Sequence, residues 1–411
     1  MSLTSGIDTA SLDPLVRPQD DLFRHYNGKW VREYEMPADR SSDGIFRKLH
    51  DEAEEQVRQI IETSSGTGEA QKIGDLYKSF MDLEAIKARG ISPIVDDLAA
   101  IDGITNLQEF ITVMARLEMR GIGGIFGAAI YPDAMDSNTN ILYIGQGGLS
   151  LPDESYYREE QFASIRTAFI DHVTKMCALV GIANGGDVAS KILTLETEIA
   201  THHWDQVKDR DATLTYNKYS RAELETLAPH FLFDTWATNA KVPAKAFETL
   251  VVCEPSFFES VSAMLGNFDA HRDSWIAWLK LNLVSASAAF LTDDIVQQNF
   301  EFYAKTLSGT PQIRDRWKRG VSVTQGALGE AIGKVYVEKH FPARAKEEMK
   351  VLVDYLLDAY RLSILELPWM SDATKQKALE KLKKFTPKIG YPDKWRDYST
   401  LEISADDLIG N

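Results

Sequence analysis

Few side chains in this sequence have the type and spacing that a catalytic centre needs. Glu198 and His202 lie four residues apart on a predicted helix, so both could reach one metal ion, and His203 follows directly. Two ligands without a third are weak evidence for a metal site, and a surface Glu–His pair at a helix end is the simpler interpretation. None of the eight histidines is followed by Glu, so no His-Glu-x-x-His zinc helix is present. The spacing therefore predicts no catalytic residue and no metal site in this chain.

The sequence also lacks the residues that a structural zinc site, a serine hydrolase or a dinucleotide-binding site needs. Cys177 and Cys253 are the only cysteines, too few for a structural zinc site or a disulfide framework, and they suit a reducing compartment. Gly-x-Ser-x-Gly, the turn that carries a hydrolase serine, is absent. The glycines between 121 and 127 follow a predicted helix and precede a strand, whereas phosphate-binding loops run from strand to helix. Serine hydrolysis and dinucleotide binding are therefore not supported.

The composition narrows the possible partners. The chain has 411 residues, and its 61 acidic and 45 basic side chains give a net charge of −16. This balance argues against binding to nucleic acid or to an anionic membrane surface. No apolar run reaches the roughly 18 to 20 residues that span a bilayer, and residues 1–16 lack the basic start and apolar core of a secretory signal. We therefore predict a cytoplasmic protein with no nucleic-acid or membrane partner.

Helical periodicity dominates the chain. Ile73, Leu76, Tyr77, Phe80 and Met81 fall on one face of a helix. Two runs rich in Ile, Phe and Tyr flank the turn-forming "PDAMDSNTN" and predict a β-hairpin near 122–146. Later helices are predicted at 160–182, 187–203, 220–228, 243–252, 255–265, 270–291, 293–306, 311–338, 343–366 and 371–385. The pattern indicates a mainly α fold: a large multi-helix lobe with a small β-hairpin.

Five blocks of sequence are more distinctive than any single residue. The first is "PQDDLFRHYNGKW" at 18–30, and the second is "YIGQGGLSLPDESYY" at 143–157. The third is "KDRDATLTYN" at 208–217. The fourth combines "RDRWKRGVS" with "AIGKVYVEKHF", and the last combines "WMSDATKQKALEKL" with "IGYPDKW". Each block alone is a weak signal.

In this order, the five blocks resemble the neprilysin-like zinc endopeptidases, especially their soluble bacterial members of the endopeptidase O type. The resemblance covers nearly the whole chain from residue 18. In that family the zinc-binding His-Glu-x-x-His helix, a further Glu ligand and a late His come after the segment that corresponds to "DDLIGN" at 406–411. The resemblance therefore implies the N-terminal portion of a peptidase that cleaves short peptides with zinc-activated water. Zinc is expected in the full-length parent and not in this chain, which is predicted to be inactive alone.

The resemblance also implies a division of the chain. Residues 1–13 are expected to be disordered or to originate from cloning. Residues 14–50, here called the strap, would belong to a catalytic lobe that is mostly absent. Residues 51–399 would form the helical lobe that caps the active site, and 400–411 would begin the return to the catalytic lobe. Without its cover the strap should be mobile or packed in a non-native way.

The strap contains the one substrate-binding residue that the resemblance implies. Gly44-Ile45-Phe46 matches a Gly-x-Phe segment that lines the pocket for the residue after the cut bond, so Phe46 is the candidate. Mammalian members have an arginine two positions before that glycine, where it meets a substrate carboxylate. Ser42 stands there in this chain, and Arg40 or Arg47 could replace the arginine.

Two alternatives stay open at the level of sequence. Phe23, Tyr26 and Trp30 could pack on the helical lobe rather than on a catalytic lobe. The whole chain could also be a stand-alone helical binding or scaffold protein derived from this fold.

Overall fold

The computed structural model describes residues 9–411, and most of them lie in α-helices. The expected multi-helix fold with a small β element is confirmed. Asp21, Asn106 and Ser220 begin helices by accepting hydrogen bonds from backbone N–H groups of the first turn. The first half of the chain contains α1 (Leu22–Glu33), α2 (Ile45–Thr63), α3 (Glu69–Met81), α4 (Leu83–Arg89), α5 (Ser92–Asp102), α6 (Leu107–Glu118), α7 (Ser155–Arg158), α8 (Ala163–Leu179) and α9 (Gly185–Thr201).

The second half continues the helical pattern. A π-helix at Glu301–Thr306 follows α15, and α16 contains a kink at Leu328. The helices are α10 (Gln206–Asp209), α11 (Arg221–Leu227), α12 (Phe233–Asn239), α13 (Pro255–Gly266), α14 (Phe268–Ser287), α15 (Asp293–Phe300), α16 (Arg316–His340), α17 (Ala343–Glu366) and α18 (Asp372–Lys383).

A four-stranded sheet is larger than the predicted hairpin. The hairpin itself is confirmed as β1 (Phe126–Asp133) and β2 (Asp136–Gln146), which pair antiparallel from Phe126↔Gln146 onward. Two short strands, β3 (Lys218–Ser220) and β4 (Thr249–Val252), complete the order β1-β2-β4-β3, with β2 and β4 parallel. The helix predicted at 243–252 is wrong, because its second half is β4. Three of the four β4 residues are buried, and a short apolar run that is buried on both faces shows neither helical nor strand periodicity.

The apolar interior is divided into separate clusters. The largest runs from Ile94 to Phe302 and packs α5 to α15 around the sheet, with Trp275 and Trp278 fully buried. A second cluster joins α2 and α3 to α16 and includes Tyr398. Phe80, Ile86 and Leu408 form a small third cluster, and Phe80 meets Phe290 edge-on at 6.5 Å between ring centroids. The segment predicted as one capping lobe therefore contains more than one packed core.

The strap lies against the protein with most of its apolar side chains uncovered. Gly28 is the one buried residue of α1, and Phe23 is 65% exposed. Trp30 stacks on Tyr34 of the same segment, with ring centroids 4.8 Å apart. Phe23 is therefore not buried on the helical lobe. Tyr26 and Trp30 are half-buried, and the alternative that these rings pack there stays a prediction. Whether the strap is mobile stays a prediction.

The residues before the strap are partly structured. Residues 1–8 lie outside the described residues. Residues 9–13 include a 3-10 turn at Thr9–Ser11 and the buried Asp13, and the expectation that residues 1–13 are disordered or originate from cloning stays a prediction. The Asp13 amide donates to the carbonyl of His25 at 2.7 Å, and the Asp13 carboxylate pairs with Arg32. These contacts hold residues 9–13 on α1.

Helices α17 and α18 form a projecting unit, here called the arm (residues 343–383). Lys346 is the one buried residue of α17, and its Nζ donates to the carbonyl oxygen of Tyr391 at 2.9 Å. Among the described residues, no single helix is long and apolar enough to cross a membrane, although the bent pair Phe268–Phe290 and Asp293–Thr306 passes by length and composition.

Candidate substrate-facing site

The candidate residue Phe46 lies in the first turn of α2. Its side chain is 84% exposed, so the ring is free to contact a ligand. Asp43 precedes the helix, and its Oδ1 accepts a hydrogen bond from the Gly44 amide at 2.7 Å. This bond fixes the backbone just before Phe46 and orients the start of the helix.

A cluster of one arginine and three carboxylates supports this turn. Arg40 pairs with Asp39, Asp43 and Asp51, the last at 3.0 Å, and its side chain is only 12% exposed. Asp43 Oδ2 also accepts from the Tyr34 hydroxyl at 2.7 Å. That hydroxyl, together with the Gly44 amide and Arg40, lowers the pKa of Asp43 despite the opposing effect of burial. Three carboxylates of the cluster therefore share one guanidinium, that of Arg40.

Three contacts tie the turn to the region at the start of α16. Lys318 Nζ lies 2.8 Å from Asp39 Oδ2, and this hydrogen bond is the main reason why the pKa of Asp39 is lowered. Arg314 donates to both carboxylate oxygens of Glu54, at 2.7 and 2.9 Å. The Gln312 amide donates to the Ala38 carbonyl at 3.0 Å. The position of Phe46 is thus set by residues more than 250 positions further along the chain.

Arg40 and Arg47, the two arginines that could bind a substrate carboxylate, differ in their ion pairs and in their exposure. Arg40 is already neutralised by three carboxylates, so it has little capacity to bind another. Arg47 is exposed, follows Phe46 directly and forms no ion pair within residues 9–411. Ser42 is exposed and neutral. Of these two arginines, Arg47 is therefore the one available to bind a carboxylate beside Phe46. The acids at positions 39, 43 and 51 were the sequence signal that Arg40 would be occupied.

One group of residues has the composition of a metal site. The ligand atoms of His50, Asp51 and Glu54 lie within 4.8 Å of one another, the one such group found in the described chain. However, Arg314 occupies both oxygens of Glu54, and Arg40 occupies Asp51. A divalent cation would have to displace both guanidinium groups. These residues therefore do not fit a catalytic zinc ion.

In the part of the chain that the structure describes, Glu198 and His202 have no third metal-ligating residue beside them. Glu198 is exposed near the end of α9, and His202 is the residue that follows the helix. The Nε2 atom of His203 lies 2.9 Å from the Gly147 carbonyl oxygen, so this ring is held by the backbone. The helix-end interpretation is favoured.

Comparison with known proteins places the chain in a family. Residues 18–392 match the N-terminal model of Peptidase family M13. The chain belongs to Peptidase family M13, whose members are zinc metallopeptidases. The resemblance to neprilysin-like and bacterial endopeptidases is thereby confirmed.

Individual relatives are longer than this chain. Human endothelin-converting enzyme 1 is 27% identical over 98% of this chain and 54% of its own length. The neutral endopeptidase of Lactobacillus helveticus is 26% identical over 97% of this chain and 62% of its own. The Mycobacterium tuberculosis zinc metalloprotease Zmp1, solved with an inhibitor, is 44% identical with a TM-score of 0.94. That match covers 99% of this chain and 62% of the Zmp1 chain. The chain therefore spans between about half and two thirds of these relatives.

Proposed function

We propose that this chain is the N-terminal, capping portion of a zinc metalloendopeptidase that cleaves short peptides. Membership of Peptidase family M13 supports the peptidase origin. The observation that supports the proposal most directly is that the strap leaves most of its apolar side chains exposed. Within the same strap, the turn before Phe46 is held in place by Arg40 and Lys318. In the proposed complex, the strap (14–50) packs on the catalytic portion. Residues 51–399 wall off the active site and exclude large substrates, and 400–411 lead back towards the catalytic portion.

The turn at Phe46 suits recognition of a peptide. The exposed ring supplies an apolar contact for a substrate side chain, and Arg47 supplies a positive charge for a nearby carboxylate. Zinc, when bound by the complete enzyme, would activate the attacking water. The residues of this chain would bind and orient the peptide and restrict access of solvent and large proteins.

We further propose that residues 1–411 alone neither hold catalytic zinc nor cleave peptides. The motif His-Glu-x-x-His does not occur in them, and the one cluster of suitable ligands within residues 9–411 is occupied by arginines. Calorimetric titration with zinc, beside an assay with an internally quenched peptide, tests this. We expect no tight site and no cleavage. One tight site per chain together with cleavage that a chelator abolishes would contradict the proposal.

The cellular location and the excluded partners of the protein are still predictions. Both cysteines are free thiols, which supports a reducing location, and the cytoplasmic assignment stays a prediction. The expected lack of nucleic-acid and membrane partners also stays a prediction.

A further inference from the structure

Strand β1 forms one edge of the four-stranded sheet, and no other strand of residues 9–411 pairs with its outer side. The direction of its backbone groups follows from the hydrogen bonds of β2. The carbonyl oxygen of Ile144 in β2 accepts from the Cys253 amide at 2.9 Å, just beyond β4. Because successive residues of a strand direct their N–H and C=O groups to opposite sides, Ile144 faces β4, while Tyr143 and Gly145 face β1.

This alternation identifies the residues of β1 whose backbone groups are free. The two residues of β2 that face β1 are paired with Gly127 and Ala129, which therefore form the hydrogen bonds between the two strands. Ala128 and Ile130 then direct their N–H and C=O groups away from the sheet, and within residues 9–411 no other hydrogen bond reaches these groups. Pro132, two positions further on, lacks an N–H group, which is compatible with its place on an edge strand.

The outer side of β1 has little protection against pairing with another strand. Natural proteins usually protect a free edge with lysine, proline or a bulge, because such an edge recruits further strands. Here the proline and the irregular register occur only at the far end, at Pro132 and Asp133. Residues 126–131 carry no charged side chain, although the chain has a net charge of −16. The distal part of β2 instead carries Asp136, whose Oδ1 accepts from the Asn138 amide at 3.2 Å.

The side chains of β1 are complementary to those of a second, antiparallel β1 strand. With a two-fold axis at Ala129, Gly127 lies opposite Tyr131 of the second copy. Ala128 lies opposite Ile130 in the same way, so each large side chain meets a small one. Tyr131 and Ile130 are 60% and 54% exposed, and a Cβ placed on Gly127 would meet no atom within 4 Å. An aromatic ring packed across from a glycine stabilises paired strands.

We infer that two copies of this chain associate through β1 and join their four-stranded sheets into one continuous sheet. The free backbone groups of Ala128 would bond to those of Ile130 in the second copy, and the reverse. The absence of charge on residues 126–131 lets two acidic chains meet there without placing like charges side by side. Strand pairing alone buries less than the roughly 1,200 Å² of a standard interface, so the dimer should be weak and depend on concentration. None of these residues belongs to the strap.

The first test is self-association of residues 1–411, measured by analytical ultracentrifugation from low to high micromolar concentration. We expect the wild-type chain to shift from monomer to dimer over this range. Ile130→Pro removes an outward N–H group and leaves the bonds to β2 in place, so it should weaken the dimer about tenfold or more. Asn140→Pro is the matched control, because it adds proline to the same hairpin at an exposed position of β2.

A cysteine scan tests the register without disturbing the hairpin. The two-fold axis brings residue 129 of the two copies to about 4.5 Å between Cα atoms, within the range of a disulfide. Ala129→Cys should therefore form cross-linked dimers under mild oxidation. Ala128→Cys should not, because residue 128 of the two copies would be diagonal neighbours, roughly 7–8 Å apart. The wild-type chain, with the buried Cys177 and the half-buried Cys253, provides the background.

Two results together support the inference: cross-linking of Ala129→Cys, and loss of the dimer in Ile130→Pro with Asn140→Pro unchanged. A wild-type chain that stays monomeric, with no cross-link in Ala129→Cys, overturns it. If both proline variants lose the dimer through damage to the hairpin, the cross-linking result alone decides.

Two other occupants of the edge or sources of a dimer are distinguished by the same variants. A dimer that survives in Ile130→Pro but is lost in Phe23→Glu assigns self-association to the strap and overturns the inference. A monomeric wild-type chain that binds a labelled Thr-Val repeat peptide, with binding lost in Ile130→Pro, assigns the edge to extended peptides and also overturns it.

Discussion

Arg40 has a structural role in the turn that precedes α2. Its guanidinium separates Asp39, Asp43 and Asp51, and the side chain is largely buried. We expect Arg40→Ala to lower the free energy of unfolding by about 1–3 kcal/mol, because Asp43 and Asp51 lose their counter-charge, while Lys318 still pairs with Asp39. Urea denaturation measures this change.

The neighbouring Arg47 provides the control for Arg40. It has the same side chain in the same turn but is exposed, so Arg47→Ala should change stability by less than about 0.5 kcal/mol. Equal destabilisation by the two substitutions would show that the carboxylate cluster does not depend on Arg40.

His172 makes the stability of the protein depend on pH. Its ring is buried between Phe302, which it stacks on at 4.8 Å, and Tyr303, and burial lowers its pKa from 6.5 to about 4. The unfolded chain therefore binds a proton that the folded chain excludes, and stability falls as the pH drops from 6.5 towards 4. At pH 5 this group should cost roughly 2 kcal/mol relative to neutral pH.

The substitution His172→Leu should remove this dependence. Burial raises the pKa of Glu118 and Glu196 to about 7, and these carboxyl groups act in the opposite direction over the same range. The informative quantity is therefore the difference in unfolding free energy between wild type and variant at pH 5 and pH 7. That difference should shift in favour of the variant at pH 5. The exposed His271→Leu serves as the control, and an equal shift there would refute the role of His172.

At the scale of elements, the sequence predicted those helices and strands whose signal lies in neighbouring residues. The helices α3, α8, α13 and α17 follow from the 3.6-residue spacing of apolar side chains, and the hairpin follows from its two apolar runs. The predicted loop "PDAMDSNTN" is too long, because only Ala134 and Met135 form the turn and the other seven residues lie in β1 and β2. Strand β4 was missed because Leu250, Val251 and Val252 are buried by partners from distant parts of the chain. A window of ten residues contains no information on those partners.

Contacts between distant parts of the chain were also not predicted at the candidate site. Phe46 was identified through family resemblance, and its exposure is compatible with that assignment, although its role in binding stays a proposal. The ties from Asp39 to Lys318 and from Glu54 to Arg314 link residues far apart in sequence. Opposite charges are so common in this chain that no spacing rule selects these pairs.

At the scale of the whole molecule, two apolar surfaces are uncovered and the relatives are longer. The strap and the arm lie near opposite ends of the sequence, and each carries exposed aromatic side chains, among them Phe23 and Tyr355. The match to Zmp1 over 99% of this chain, but over only 62% of the relative, is consistent with both observations. Together they explain why the proposed function depends on a partner polypeptide.

The division of the apolar interior has a kinetic consequence. The cluster from Ile94 to Phe302 is continuous in sequence, whereas α2 and α3 meet α16 only across that intervening stretch. Closing so long a loop is entropically costly and slow while the loop is unstructured. The middle of the chain should therefore collapse first and bring the two flanks together, so that during refolding the tryptophans of α14 become shielded before Trp317 does.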